Sequence, residues 1–209
     1  NWENDNFSAI LNVWFGGSEA GDAICDVLFG DKVPSGRLTV SMPKSVGQLP
    51  LYYNHLNTGR PQPEGRPFEK FRSNYIDIDN NPLYPFGYGL SYTTFKYGPL
   101  QLDANSMTVD GQIKVTVPVT NTGNRDADEV VQLYLNDVAA SIARPVKELK
   151  DFARISLRAG ETRNVTFTIT AEKLKFYNSE LQYVCEPGLF KVMVGPNSRD
   201  TQTATFTLQ

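Results

Sequence analysis

Carboxylates are the first residues to weigh, because a pair of them can carry out general acid/base or glycosidic chemistry. Glu19, Asp22 and Asp26 share one helical stretch, Asp31 follows it, and Asp77 and Asp79 lie in YIDID. Nothing around any of these pairs sets it apart from the solvated acids of an ordinary protein surface. The second candidate is GGSEAG, Gly16 to Gly21, since a glycine turn entering a helix is where phosphates bind. The dinucleotide fingerprint needs glycine where Ser18 stands, and the P-loop needs Gly-Lys-Ser/Thr where Gly21-Asp22-Ala23 stands. Glu19 and Asp22 would also repel a phosphate, whereas as first-turn acids they suit the helix dipole. The stretch reads as a turn and cap. The third candidate surrounds the lone histidine, His55, in LPLYYNHLNTGRP, with Tyr52, Tyr53, Asn54 and Arg60 close in sequence. One histidine excludes a multi-histidine metal site, and no serine shows a G-x-S-x-G elbow. Aromatic, amide and guanidinium groups together suit sugar recognition, rings stacking on pyranose faces while polar groups fix hydroxyls. The competing reading has His55 and the tyrosines packing a loop against a neighbouring domain.

The elements that must position these residues change character along the chain. Ala9 to Phe15 (AILNVWF) is a short apolar run ending at Gly16-Gly17 and is expected to form a buried strand. Ala20, Ala23, Ile24, Val27 and Leu28 then recur at helical spacing, with Ser18 as the expected N-cap and Gly30 just past the end. Arg37 to Met42 is expected as another strand, closed by Pro43. From Gly47 to Asn81 the periodicity fails, with Pro50, Pro61, Pro63 and Pro67 interrupting a long irregular segment. Residues 1–97 therefore read as the tail of a larger α/β domain, its sheet edge exposed and prone to aggregation.

After Phe95, strand patterns recur at Ile113–Val119, Val130–Leu135, Val165–Thr170 and Leu189–Val194, alternating apolar with polar or threonine residues. Turn signals at 121–124, 158–161 and 186–188 lie between them. Roughly seven short strands in about 110 residues predict an immunoglobulin-like or fibronectin type III-like sandwich. The immunoglobulin Cys–Trp–Cys signature is missing, because Trp2 and Trp14 both precede this half. Between the halves lies LYPFGYGLSYTTF, Leu83 to Phe95. Pro85, Gly87 and Gly89 force a bent path there, and Leu83, Phe86, Leu90 and Phe95 supply apolar anchors for a packed joint. The alternative is that Tyr84, Tyr88 or Tyr92 reaches a sugar.

Composition narrows the classes. The 209 residues are 40% hydrophobic and 21% charged with a formal charge of −3, and neither half carries the basic face that nucleic acid requires. No run approaches the roughly 18 apolar residues of a membrane-spanning helix. Cys25 and Cys185 lie far apart and are expected as unpaired, mostly buried thiols. No cofactor or metal is expected. The chain begins NWEND, without Met or a signal-peptide pattern, which suggests a cut or processed piece.

AILNVWFGGSEAGDAICDVLFGDKVPSGRLTVSMPKSVGQLPLYYNHLNTGRP followed by LYPFGYGLSYTTF closely resembles the C-terminal part of bacterial β-glucosidases of glycoside hydrolase family 3. VTNTGNRDADEVVQLYL and ARPVKELKDFARISLRAGET resemble the fibronectin type III-like module that ends many of them. The resemblance implies an α/β fragment, the C-terminal part of an α/β sandwich domain, over residues 1–97, and an all-β fibronectin type III-like sandwich over 98–209. It implies a retaining, exo-acting hydrolase of terminal β-linked glucosides, periplasmic or secreted, whose aspartate nucleophile and glutamate acid/base both precede this region. No catalytic carboxylate is then expected in this chain, which should be inactive alone and depend on the upstream barrel and sandwich domains. Glu19 falls in a structural turn motif of the family. Tyr53, Asn54, His55 and Arg60 are the residues expected to touch an oligosaccharide, on its leaving-group side. The chain departs from the family where GGSEAG replaces PGQEGG or AGTEGG, where Thr39 replaces proline, and where Asn74 replaces an arginine before tyrosine, which puts any contact from that arginine in doubt. Against this stands a binding module used alone, which would show a row of exposed aromatics. Of Tyr134, Phe152, Phe167, Phe176, Tyr177, Tyr183 and Phe190, most fall at inward strand positions.

Overall fold

A computed structural model of the chain describes every residue except Glu64, Gly65 and Pro67, so the expected interruption at Pro67 lies outside the described residues. Two helices open the chain, α1 (Trp2–Asn6) and α2 (Ala20–Phe29), followed by a 3₁₀ turn at Val46–Gln48. The strands are β1 (Phe95–Tyr97), β2 (Gln101–Leu102), β3 (Ser106–Met107), β4 (Gln112–Asn121), β5 (Ala127–Asp137), β6 (Glu148–Leu157), β7 (Thr162–Thr170), β8 (Phe176–Tyr177), β9 (Tyr183–Val184), β10 (Gly188–Gly195) and β11 (Gln202–Leu208), with the short helix α3 (Ala171–Leu174) after β7.

Nine of the strands form two facing sheets, and β8 and β9 pair with each other as a separate antiparallel ribbon. In one, β4 pairs with β1 and β2 along one side and with β7 along the other. The second has the order β3-β11-β10-β5-β6, antiparallel apart from the β3–β11 pair. Alternation explains the core: Ile113, Val115, Val117 and Val119 of β4 and Val165, Phe167 and Ile169 of β7 face Val131, Leu133, Val192, Val194, Phe206 and Leu208. Strand β5 breaks the simple pattern, since Val131 to Leu135 are buried without interruption. Its outer face, at Gln132 and Tyr134, is covered by the N-terminal half, so both sides are desolvated.

The N-terminal half differs from expectation in three places. Ala9 to Phe15 forms no strand, and Ile10, Leu11, Val13, Trp14 and Phe15 are exposed. A strand needs lateral partners for its N–H and C=O groups, and no described residue supplies them. Arg37 to Met42 forms only part of a ladder against the joint: Leu38 donates to the Tyr88 carbonyl at 2.8 Å and Met42 to that of Tyr84 at 2.9 Å. The rung between them, at Val40 and Phe86, is missing, and the Phe86 carbonyl accepts from Ser198 N at 2.9 Å instead. Helix α2 begins after Glu19, not Ser18, and has no side-chain cap bond. Its C-terminus matches expectation, Gly30 taking φ 83°. There Tyr92 Oη donates to the Val27 carbonyl and Arg125 Nη2 to the Gly30 carbonyl, both at 2.6 Å, tying the last turn to the sandwich. Both cysteines are free, but Cys25 is exposed, because its face of α2 meets no other part of the chain, while Cys185 is half-buried.

Candidate functional site: a cleft between loop 50–82 and the sandwich

The joint is built around Gly87, whose φ of 80° and close approach to Gln132 exclude a side chain. Gln132 Nε2 donates to the carbonyls of Gly87 (3.1 Å) and Pro196 (2.6 Å), and Tyr134 Oη donates to its Oε1 at 2.5 Å. Below it, Arg37 Nη2 meets Glu129 Oε2 at 2.6 Å and Tyr97 Oη donates to Oε1 at 2.8 Å. Burial pushes the Glu129 carboxyl above the usual carboxylate range, with Arg37 and the Tyr97 bond pulling it back.

Against this joint the irregular loop encloses a cleft of about 600 Å³, within the usual range for ligand sites. Gln48 fixes the loop's base from a buried position. Its Oε1 accepts from Lys44 N at 2.6 Å and its Nε2 donates to the Asp79 and Asn81 carbonyls, each at 3.1 Å. Tyr75 Oη donates to the Gln48 carbonyl at 3.3 Å. Asn74 donates to the carbonyls of Glu69 and Arg72, each at 2.9 Å, so the residue standing where an arginine is common turns back onto its own loop.

Of the four residues expected to touch sugar, the cleft brings two together. Tyr53 lines it, but its ring stacks on Phe86 at 4.2 Å and meets Tyr134 edge-on at 5.8 Å, while its Oη accepts from Leu149 N at 3.3 Å. His55 also lines it; Nδ1 lies 3.0 Å from the Leu56 carbonyl, which can only accept, so Nδ1–H donates there. The His55 carbonyl takes the Val146 N–H at 2.9 Å, an extra rung on the sandwich. Asn54 and Arg60 are exposed and outside the lining. Both readings of this loop therefore have a residue: Tyr53 packs, and His55 faces the cleft.

Sequence reasoning missed the opposite wall. Val146 and Lys147, between β5 and β6, and Ser198 and Arg199, between β10 and β11, complete the lining, along with Tyr52 and Tyr75. Only the pairing of distant turns brings them there, and no local signal announces it. Asp79 is the one acid among the described lining residues, and Lys44 holds it at 2.6 Å and well below the usual carboxylate range. A double displacement needs two carboxyl groups across one bond, which this lining does not offer. Among the described residues no three His, Cys, Asp or Glu side chains gather as a metal site, and no helix is long and apolar enough to cross a membrane.

Comparison with known proteins finds two family models along the chain. Residues 1–92 match the Glycosyl hydrolase family 3 C-terminal domain, and residues 129–198 match the Fibronectin type III-like domain. The chain is 51% identical to the periplasmic beta-glucosidase of Salmonella typhimurium over 99% of its own length and 27% of that protein's. It is 44% identical to a beta-xylosidase of Formosa agariphila, covering 100% of this chain and 28% of that one. Among solved structures, the beta-glucosidase of Listeria innocua in complex with glucose superposes with a TM-score of 0.89 at 45% identity, over 94% of this chain and 27% of that one. The chain thus spans little more than a quarter of the length of these relatives. Its fold class is an α/β domain followed by an all-β sandwich, as expected. The chain belongs to glycoside hydrolase family 3, joining that family's C-terminal domain to a fibronectin type III-like module.

Proposed function

We propose that this chain is the C-terminal region of a retaining, exo-acting β-glucosidase that hydrolyses terminal β-linked glucosides, with the division between its domains at residues 97 and 98. The observation that carries the reading is the 51% identity to a periplasmic beta-glucosidase along 99% of the chain. The same relative supports a periplasmic or secreted location. The catalytic aspartate and glutamate belong to upstream barrel and sandwich domains. This region completes a wall of the substrate site, where Tyr53 sets the loop and His55, with Asn54 and Arg60 on the exposed rim, meets the leaving-group side of an oligosaccharide. The 44% identity to a beta-xylosidase favours a second reading, a β-xyloside substrate. A carbohydrate- or protein-binding module acting alone has less support, since Tyr134, Phe167, Phe176 and Phe190 are buried and only Phe152, Tyr177 and Tyr183 of the seven sandwich aromatics are exposed.

The test compares aryl β-glucoside and aryl β-xyloside hydrolysis by this chain alone, its intact mass verified, and by the complete protein. The chain alone is expected to be silent, and the complete protein to release product with retained anomeric configuration. Turnover by the chain alone, lost on changing Glu19, Asp77 or Asp79, would overturn the reading.

A further inference from the structure

We propose that the fibronectin type III-like module is itself part of the carbohydrate site, with Arg199 and Lys147 recognising the sugar units beyond the scissile bond. The inference rests on the β-glycosidase reading above and adds to it the residues that read substrate length.

Three observations carry it. The cleft has walls from both halves of the chain, Tyr52 and His55 on the loop facing Lys147 and Arg199 on the module. The module's wall is already fixed before any ligand arrives. Ser198 N donates to the Phe86 carbonyl at 2.9 Å, Lys147 Nζ to the Ser198 carbonyl at 2.5 Å, and Asn197 Oδ1 accepts from Arg199 N at 2.9 Å and Asp200 N at 2.8 Å. A wall held this way loses little entropy on binding. Finally, the chemistry matches a sugar. Tyr52 is 63% exposed and its ring offers a stacking face, and the Arg199 guanidinium, bonded to Asp200 through Nε at 3.3 Å, keeps its terminal nitrogens for hydroxyl oxygens. Among the described lining residues the donors Arg66, Lys147 and Arg199 outnumber the single acid, Asp79, which is engaged by Lys44. Such a lining suits an acceptor-rich, uncharged oligosaccharide.

The experiment uses the complete protein and compares kcat/KM for a β-linked glucotrisaccharide with that for an aryl β-glucoside, in wild type, Arg199→Ala, Arg199→Lys and Tyr52→Ala, each checked by thermal melting. Losing a charged hydrogen bond should lower the trisaccharide-to-aryl ratio about tenfold in Arg199→Ala. Arg199→Lys, which keeps the charge but not the fork, should fall between. An unchanged ratio in both arginine variants overturns the inference whatever Tyr52→Ala does, since Tyr52 belongs to the loop and not to the module. If the wild type turns over neither a β-glucoside nor a β-xyloside, the activity reading fails instead. Calorimetric titration with the glucotrisaccharide and the corresponding xylotrisaccharide then decides the cleft: binding lost in Arg199→Ala upholds it, and no binding to the wild type overturns it.

Discussion

At the scale of single residues, the decisive contact is the one between Arg37 and Glu129, whose side chains are 9% and 2% exposed. Two charges taken from water are stable only when each is fully paired, and here Arg37 and Tyr97 engage both carboxylate oxygens. Removing one partner strands the other. Arg37→Ala should therefore destabilise the chain by about 3 kcal/mol in chemical denaturation, and the loss in a double variant with Glu129→Gln should fall well short of the sum of the single losses. The pH dependence has a definite sign. Burial raises the folded pKa of Glu129, so the folded chain holds that proton more tightly. Its titration contributes fully below the ordinary carboxylate value and is lost as pH rises through the raised folded value. The stability advantage of wild type over Glu129→Gln should shrink on going from about pH 4 to pH 7; an advantage that grows over that interval would mean that the pairing with Arg37 and Tyr97 outweighs burial and that the carboxyl is not raised.

At the scale of elements, what was legible depended on where each element finds its partners. Strands β4 and β7 pair with each other from Gln112↔Thr170 to Thr120↔Thr162, so their alternation carries its own explanation. The apolar run at Ala9–Phe15 has the composition of a strand but no described partner, and composition cannot supply one. Gly30 was readable as a helix stop because left-handed backbone selects glycine locally. The cleft was half readable: LPLYYNHLNTGRP carries the residue types of a sugar site, but whether a tyrosine packs or points outward is set by Phe86 and Tyr134, distant in sequence. Lys147 and Arg199 gave no signal, since turns between strands are full of such residues. Tyr53 is the pin between loop and module. Tyr53→Ala should speed amide exchange at Val146 and Leu149, whose N–H groups meet the His55 carbonyl and Tyr53 Oη, by at least about tenfold while the β10–β11 amides stay protected. Uniform acceleration would mean that Tyr53 supports the whole sandwich and not the loop alone.

At the scale of the whole molecule, the two halves are unequally self-sufficient. The sandwich has a continuous core reaching from Met107 to Leu208, whereas neither of the helices α1 and α2 contains a buried residue. Phe7, Ile10, Leu11, Val13, Trp14, Phe15, Leu28 and Phe29 all exceed 40% exposure within 23 consecutive residues. Scattered exposed apolar residues are common on any protein, but a contiguous group of this kind marks a surface that normally meets another. The chain by itself should therefore associate through residues 7–29. Sedimentation velocity should show larger species growing with concentration, and Phe15→Ser with Phe29→Ser should return it toward monomer with the melting of the sandwich unchanged, because neither residue touches that core. A monodisperse wild-type monomer at about 100 μM would mean that this surface is tolerated by water. The exposed run at Ala9–Phe15 would then need no cover, and the contiguous apolar residues would belong with the ordinary apolar share of a protein surface.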